Sequence, residues 1–379
     1  MKKYYDITNK QLLIDTIHSM KTLIRDSVKS LVRGRKGTII NPDNSYYPEE
    51  EHKSYISIFW DQVVHIFQYG EINKFYYFLG LDVKGEDCSQ YISERWNLDN
   101  LRHQNRKRSG LSFNHSYMVT VMDKFIFAEI MGANGFPIPN SFGLLLKGEL
   151  FVEGDLKTPV PMSTLLEKPR HLLCKPVTGR SGKGIIAIKV EDGQLFIKNK
   201  PMEMDEFKSM VSKGKYLVQS YIENQHPAMK ALFPNSINTL RVTMVRTKQG
   251  IEVLGCMCLM GASNAEYSNW HYGGICVYVD EEGRLGKYGF SYSEKRITKH
   301  PDTGVVFEGY QIPYFKEMIQ LCEQAMNLFY GMKTIGWDMA FTEDGPIFIE
   351  GNNGWGIIAH QMVEHRGWAE KYKRVFNLK

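Results

Sequence analysis

The chain reads as an α+β protein with an N-terminal helical module, on three observations. Apolar residues recur at helical spacing over 10–32; short alternating apolar runs fill 170–279; and a helical stretch at 311–331 leads into two alternating runs that end at Asn352. Strands joined by tight turns and flanked by helices make that class.

At 379 residues the chain exceeds one typical domain and is expected to hold two or three substructures around a large core. A hydrophobic content of 43%, with 12% aromatic, argues against disorder. The formal charge of +5 does not demand nucleic acid, and none is expected as a partner; it suits an anionic substrate. Six cysteines stand at 88, 174, 256, 258, 276 and 322, several inside apolar runs, without a Cys-x-x-Cys pair or a zinc-like histidine spacing, so reduced core cysteines are expected. Met1-Lys-Lys-Tyr-Tyr-Asp carries no apolar signal core and no stretch reaches the length of a membrane span, so the expectation is a cytoplasmic protein without one.

In chain order, Leu12, Leu13, Ile17, Met20, Leu23, Ile24, Val28 and Leu31 define an amphipathic helix, and 54–80 reads as aromatic-rich helix interrupted near Gly70. Arg102 to Arg108 is a basic cluster, taken first as a solvated face and second as a patch for an anionic substrate or partner. A helix from Met118 to Met131 ends in Gly-Ala-Asn-Gly before the extended Phe136-Pro-Ile-Pro139. Strands are expected at 172–176, 185–190, 194–197 after the Asp192-Gly193 turn, 216–219, 239–246, 251–259 and 274–279, with a short helix at 204–211.

The paired runs at the end carry the first chemical argument. If Glu343, Asp344 and Gly345 form a three-residue loop, Thr342 lies opposite Pro346 and Asp338 directly opposite Glu350, with Asn352 on the same face. Carboxylates so placed sit roughly 5 Å apart at Cβ, where like charges destabilise a sheet, so something positive belongs between them. A hard divalent cation such as Mg2+ takes carboxylate and amide oxygens; solvent-facing polar residues, or protonation of one acid, are the alternatives.

Gly179-Arg180-Ser181-Gly182-Lys183-Gly184 follows a strand that carries Lys175. Glycine lets backbone amides approach phosphate oxygens, and the cations neutralise their charge. The spacing is not that of a Walker A loop, and a plain mobile turn is the competing reading. Gln219 to Asn224 ends a strand and offers backbone groups to an adenine edge, with Glu223 near ribose hydroxyls; an ordinary strand end explains it equally. Along 239–244, Thr239, Arg241 and Thr243 share one face. An arginine on an inner face needs an anion, either Asp338 or Glu350 or a transferring phosphoryl group.

In this order Lys124, Lys175-Pro176, the loop 179–184, Gln219 to Glu223, Asn238 with Arg241, and then Asp338, Glu350 and Asn352 resemble the motif series of the ATP-grasp superfamily. Asn238-Thr-Leu-Arg241 and Ile349-Glu-Gly-Asn-Asn353 are most similar to its sugar-transfer-associated branch, and the likeness covers roughly residues 115 to 365. It implies two α+β subdomains gripping ATP: 111–170 as linker and first part of the core, 171–218 as a lid with the glycine-rich loop, and 219–379 as the catalytic subdomain, behind a helical module at 1–110.

By position, the resemblance implies that Lys124 and Lys175 hold phosphates and that Gly179, Arg180, Ser181, Gly182, Lys183 and Gly184 close over them. Gln219, Ser220, Tyr221, Ile222 and Glu223 correspond to the adenine hinge, with Gln219 near the exocyclic amine, and Asn238 joins the cofactor-binding set. Asp338, Glu350 and Asn352 match metal ligands, with ATP and two Mg2+ ions as cofactors, while Arg241, with Lys175, stabilises the transferring phosphate. The implied activity is a carboxylate-amine ligase working through an acylphosphate on a small-molecule or sugar-linked acceptor. Surface-polysaccharide or sugar-conjugate biosynthesis is the implied setting, in contact with polysaccharide-assembly enzymes. A kinase acting on a hydroxyl or amide is the alternative, and a catalytically silent nucleotide-binding scaffold the third reading. His271 and His360 follow motif segments and read first as structural.

Overall fold

The computed structural model describes residues 9–33, 39–41, 44–109, 117–179, 182–262, 273–291 and 295–378. The amphipathic helix α1 (Asn9–Arg33) packs on α2 (Tyr55–Tyr69). Ser54 caps α2 by accepting from the Ser57 amide, and Gly70, at φ 78°, ends it in the left-handed conformation. A side chain at Gly70 would also strike Leu12, 2.6 Å away. The expected helix therefore does not continue to residue 80. Asn73 bonds the Gln62 carboxamide and the Phe75 amide, and the following turns bury Tyr76, Phe78 and Leu79. The basic cluster lies in α3 (Glu94–Ser109), where Arg102 pairs with Asp99 one turn earlier.

Next come α4 (Val119–Met122) and α5 (Lys124–Ala133), one expected helix broken at Asp123, whose carboxylate caps α5 by accepting from the Phe125 and Ile126 amides. Strands β1 (Ser141–Leu146), β2 (Glu149–Val152), β3 (Asp155–Val160), β4 (Arg170–Pro176), β5 (Ile186–Glu191), β6 (Gln194–Ile197) and β7 (Lys200–Met202) precede α6 (Met204–Val211) and β8 (Lys215–Ser220). They form an antiparallel sheet in the order β3-β2-β1-β8-β4-β5-β6-β7. Phe207 and Val211 of α6 join a core with Leu145, Cys174, Ile188 and Val218. Three of its strands come from the 111–170 stretch.

After α7 (Pro227–Leu232), strands β9 (Thr239–Arg246), β10 (Ile251–Met260), β11 (Ile275–Val279), β12 (Leu285–Ser291) and β13 (Lys295–Ile297) lead to α8 (Phe315–Leu328), the hairpin β14 (Thr334–Thr342) and β15 (Gly345–Asn352), then α9 (Ile357–Glu364) and α10 (Ala369–Phe376). The second antiparallel sheet runs β13-β12-β11-β10-β9-β14-β15. On one face Met318, Cys322 and Met326 of α8 share a core with Leu240, Val242 and Met244. On the other, Trp355, α9, α10 and the N-terminal module share a core with Val245, Met257 and Phe290. Every residue of β14 is buried. Five of the six cysteines are buried and all six are free thiols.

The N-terminal module is bonded into the hairpin sheet. Asn105 Oδ1 accepts from the Lys333 and Thr334 amides, Asn97 Nδ2 donates to the Trp355 carbonyl, and Gln361 exchanges two hydrogen bonds with the Ile92 backbone. Gly356 gives α9 no side-chain cap, and Glu94 from α3 supplies one, accepting from the Ile357 amide at 2.9 Å and the Ile358 amide at 3.3 Å. Glu94→Ala is expected to lower stability by about 1–2 kcal/mol, read as a shift in the urea midpoint at unchanged slope.

Candidate active site

The hairpin reaches the expected pairing by a different route. Its turn is two residues, Glu343 and Asp344, with Gly345 already opposite Thr342. That register would set Ile349 across from Asp338, but a shift between Met339 and Asp338 makes Ile349 the extra residue of a bulge, and Asp338 pairs with Glu350 after all. Asn352 shares their face, its Nδ2 donating to Asp338 Oδ2 at 3.3 Å and to Glu350 Oε1 at 3.4 Å.

Positive charge comes from three directions. Arg241 on β9 is the cross-strand partner of Asp338 and grips it with two donors, Nε to Oδ1 and Nη2 to Oδ2, the second at 2.8 Å. The arginine thus takes the structural partner named from the sequence. It lies on the far side of Asp338 from Glu350, since β14 runs between β9 and β15. Lys124, the first residue of α5, sits 3.5 Å from Glu350 Oε2 and donates to the Gly179 carbonyl at 3.2 Å, tying the glycine loop to the hairpin. Lys175, buried on β4, donates to Gln219 Oε1 at 3.0 Å, while Gln219 Nε2 donates to the Pro139 carbonyl at 3.1 Å.

These charges shift one another. Burial disfavours charge on Lys175 and, with repulsion from Lys124 and against the pull of Glu350, brings it down to about 8. Burial pushes Asp338 above its ordinary value against the Arg241 charge, with repulsion from Glu350 adding to the rise. Burial acts the same way on Glu350, but Lys124 and Arg241 outweigh it and hold that carboxyl below the usual range. The cluster of Lys124, Lys175, Arg241, Asp338 and Glu350 thus has three cations against two carboxylates.

Between the two sheets runs the segment from Tyr221 to Gln225. The Tyr221 amide donates to the His171 carbonyl, their rings stack with centroids 3.9 Å apart, and Glu223 pairs with His171 at 3.3 Å. Further on, the Glu343 amide donates to the Asn224 carbonyl, Asn224 Nδ2 donates to Asp344, and Gln225 bridges to Thr342. A cavity of about 270 Å³ opens beside this segment, lined by Tyr221, Ile222, Glu223, Gln225, Lys230 and Ser236 among others. Two buried polar atoms of its wall, Gln225 Nε2 and Ser236 Oγ, have no hydrogen-bond partner. A larger cavity of about 610 Å³ includes Glu86, His365, Lys371 and Arg374 in its wall; it shares no residue with this set, and Lys371 and Arg374 are paired with Glu364 and Glu252.

Lys124, Arg241, Asp338, Glu350 and Asn352 are thus joined through direct contacts or strand pairing, while Lys175, bonded to Gln219, is tied to them by its charge interactions with Glu350 and Lys124. Gln219 turns its carboxamide to Lys175 and Pro139. Ser220 pairs with Leu172, its amide bonded to the Asn140 carbonyl, and Tyr221 to Glu223 form the cavity edge. Asn238 is fully buried and donates to the Met229 and Phe233 carbonyls, fastening the connection before β9. Gly179, Gly182 and Gly184 have φ of 147°, 71° and 78°, conformations that favour glycine, and Lys183 is exposed; Arg180 and Ser181 lie outside the described residues. His271 also lies outside them. His360 is fully buried, bonded to Thr243 and packed between Trp355 and Trp368, a structural residue. Sequence reasoning missed His171, Lys230 and the Gln225–Ser236 wall, for which the only local signal was the His226-Pro227 start of α7.

The donor set fits a hard cation: two carboxylates and a carboxamide on one face. For Asn352 to join as a ligand its amide must turn over, since Nδ2 faces the acids.

A family model described as sugar-transfer associated ATP-grasp matches residues 104–377. Similar solved structures include D-alanine–D-alanine ligase from Bacillus anthracis, 14% identical with a TM-score of 0.37, covering 68% of this chain and 64% of that one. D-alanyl-alanine synthetase A from Vibrio cholerae O1 biovar eltor is 13% identical, with a TM-score of 0.39 and coverage of 68% and 65%. The ADP complex of purK, N5-carboxyaminoimidazole ribonucleotide synthetase, is 12% identical, with a TM-score of 0.40 and coverage of 76% and 59%. The chain spans less than two thirds of the length of each. No curated protein matches it.

Removing one partner of a buried ion pair strands the other, so Arg241→Ala is expected to cost about 3–5 kcal/mol. Adding Asp338→Asn should restore part of it, a coupling that urea unfolding of the four proteins of the cycle measures.

Proposed function

Because the chain belongs to the sugar-transfer associated ATP-grasp family, we propose that it is an ATP- and Mg2+-dependent ligase that activates a carboxylate as an acylphosphate for attack by an amine. The observation that carries this reading is the cluster of three cations and two carboxylates at the meeting of the glycine loop, the lid sheet and the hairpin, with Lys175 and Asp338 buried and the other three half-buried. Its balance of +1 lacks one negative charge, and a polyphosphate supplies it.

In this reading Lys124 and Lys175 neutralise phosphate oxygens, and the glycines from Gly179 to Gly184 let backbone amides close on them. The cavity beside Tyr221–Gln225 takes the purine, whose ring nitrogens satisfy Gln225 Nε2 and Ser236 Oγ. Asp338, Glu350 and Asn352 would hold Mg2+, with two ions as the number we propose, and the metal when bound would supply neutralisation of phosphate charge. Arg241 fixes the Asp338 carboxylate and adds positive potential beside the transferring group. Catalysis then rests on positioning and fixed charge, with no side chain needed as a dedicated base. The acceptor is a small molecule or a sugar-linked precursor of surface polysaccharide, and the polysaccharide-assembly enzymes are the partners.

Incubation with Mg-ATP and a panel of sugar acids, amino acids and amines should release ADP and yield an amide, detected by mass. A stable phosphorylated acceptor instead of an amide would assign a kinase, and no acceptor-dependent ADP release would end both readings. Glu350→Gln should weaken Mg-dependent ATP binding, whereas equal affinity would remove Glu350 from the metal site. Lys175→Ala should raise the ATP dissociation constant roughly ten- to a hundredfold.

Burial lowers Lys175 to about 8, so the uncomplexed protein loses this charge as pH rises through that value. A bound phosphate favours the charged form and raises it again. ATP affinity should therefore fall as pH rises above about 8, with protons taken up on binding there. Calorimetry in buffers of different ionisation enthalpy reads that uptake; none in wild type would exclude Lys175 as a phosphate ligand.

A further inference from the structure

The N-terminal pair α1–α2 exposes an apolar face that the core does not use. On α2, Ile56, Trp60, Val64 and Phe67 recur on one side at 73, 58, 58 and 64% exposure, opposite the buried Ile58, Gln62 and Tyr69. On α1, Leu13, Ile17, Ile24 and Val28 form a second exposed stripe beside the buried Leu12 and Leu23. The helices run antiparallel: Leu12 meets Gly70 at the end of α2, while Leu23 joins Val63 and Ile66 further back. In both helices the exposed stripe lies on the same rotational side of the seam, so the two stripes open onto one side of the pair.

The same stretch of sequence is strongly basic. Residues 1–36 hold nine Lys and Arg against three Asp, a balance of +6, which leaves the other residues at −1 of the total +5. Two of those acids are engaged internally, Asp15 with Arg95 and Asp26 with the Ile39 amide, while Lys21 and Arg25 project to solvent from α1 next to its apolar stripe. Exposed Trp, Phe and Ile bordered by Lys and Arg are the chemistry of a helix lying in the headgroup region of an anionic bilayer. Among the described residues no helix is long and apolar enough to cross a membrane, so the contact is with its surface.

We propose that the α1–α2 face docks on the surface of a membrane carrying anionic phospholipid. Apolar side chains enter the headgroup boundary, and the basic residues supply an attraction that salt screens. This site does not depend on the ligase reading, and its test reads lipid binding alone.

The full-length protein is sedimented with vesicles of equal parts phosphatidylglycerol and phosphatidylcholine and with vesicles of phosphatidylcholine alone. It should pellet with the first, weakly with the second, and less at high salt. Trp60→Asp with Phe67→Asp should lower partitioning at least roughly tenfold, and Lys21→Ala or Arg25→Ala roughly fivefold each. Circular dichroism and the urea midpoint serve as controls for folding. Failure of the wild type to bind anionic vesicles overturns the proposal, as does wild-type binding by the Trp60, Phe67 and Lys21 variants. A solution dimer that Trp60→Asp with Phe67→Asp converts to monomer assigns the face to a second copy and overturns it as well.

Discussion

The row Arg241–Asp338–Glu350 across three adjacent strands is the constraint to which the rest of the site answers. Two carboxylates side by side in a sheet are tolerable only with cations close by, and the protein provides Arg241 by strand pairing and Lys124 by the start of a helix. Each of those cations carries a second structural consequence. Arg241 requires β9 to sit next to β14, which fixes the order of the hairpin sheet. Lys124 requires the start of α5 to lie over β15, and its bond to the Gly179 carbonyl brings the glycine loop of the other sheet to the same spot. Cross-strand electrostatics and fold topology are one fact here.

The N-terminal module owes its position to the same hairpin. Asn97, Asn105 and Glu94 spend their hydrogen bonds on the Trp355 carbonyl, the amides at the start of β14 and the open end of α9. Trp355 passes within close range of Gly336, where a side chain would lie 2.8 Å from the Trp355 Cβ. The segment following Asn352 is thus held on both sides, and a module with no candidate phosphate or metal residue of its own braces the acidic row.

Much of the site was legible because its logic is local. Alternation placed Arg241 on the face opposite Leu240 and Val242, and α6 and β9 fall at the bounds their patterns gave. The opposition of Asp338 and Glu350 was read correctly from a wrong turn length, because a bulge is a tertiary adjustment that a period-two pattern does not record. The strands from Ser141 to Val160 were not foreseen: β3 is exposed along almost its whole length, so it lacks the alternation that marks a half-buried strand. The interruption expected near Gly70 is there, at the left-handed end of α2, but the stretch from there to residue 80 forms turns in place of a second run of helix. The bracing of the hairpin by Asn97 and Asn105 links positions more than two hundred residues apart, and no window of sequence reports such bonds.

The bulge at Ile349 separates two jobs that a hairpin usually performs with one set of pairings. Below it the ladder counts from the acids; above it the ladder counts from the tip, where Asn224 holds Asp344 and the inter-sheet segment is fastened. A spare residue between the two acts as a slip joint. The tip can be lengthened, shortened or tilted to suit a different angle of the other sheet while the carboxylates stay where they are, which makes this strand the natural place for sequence drift to retune how the inter-sheet segment is held.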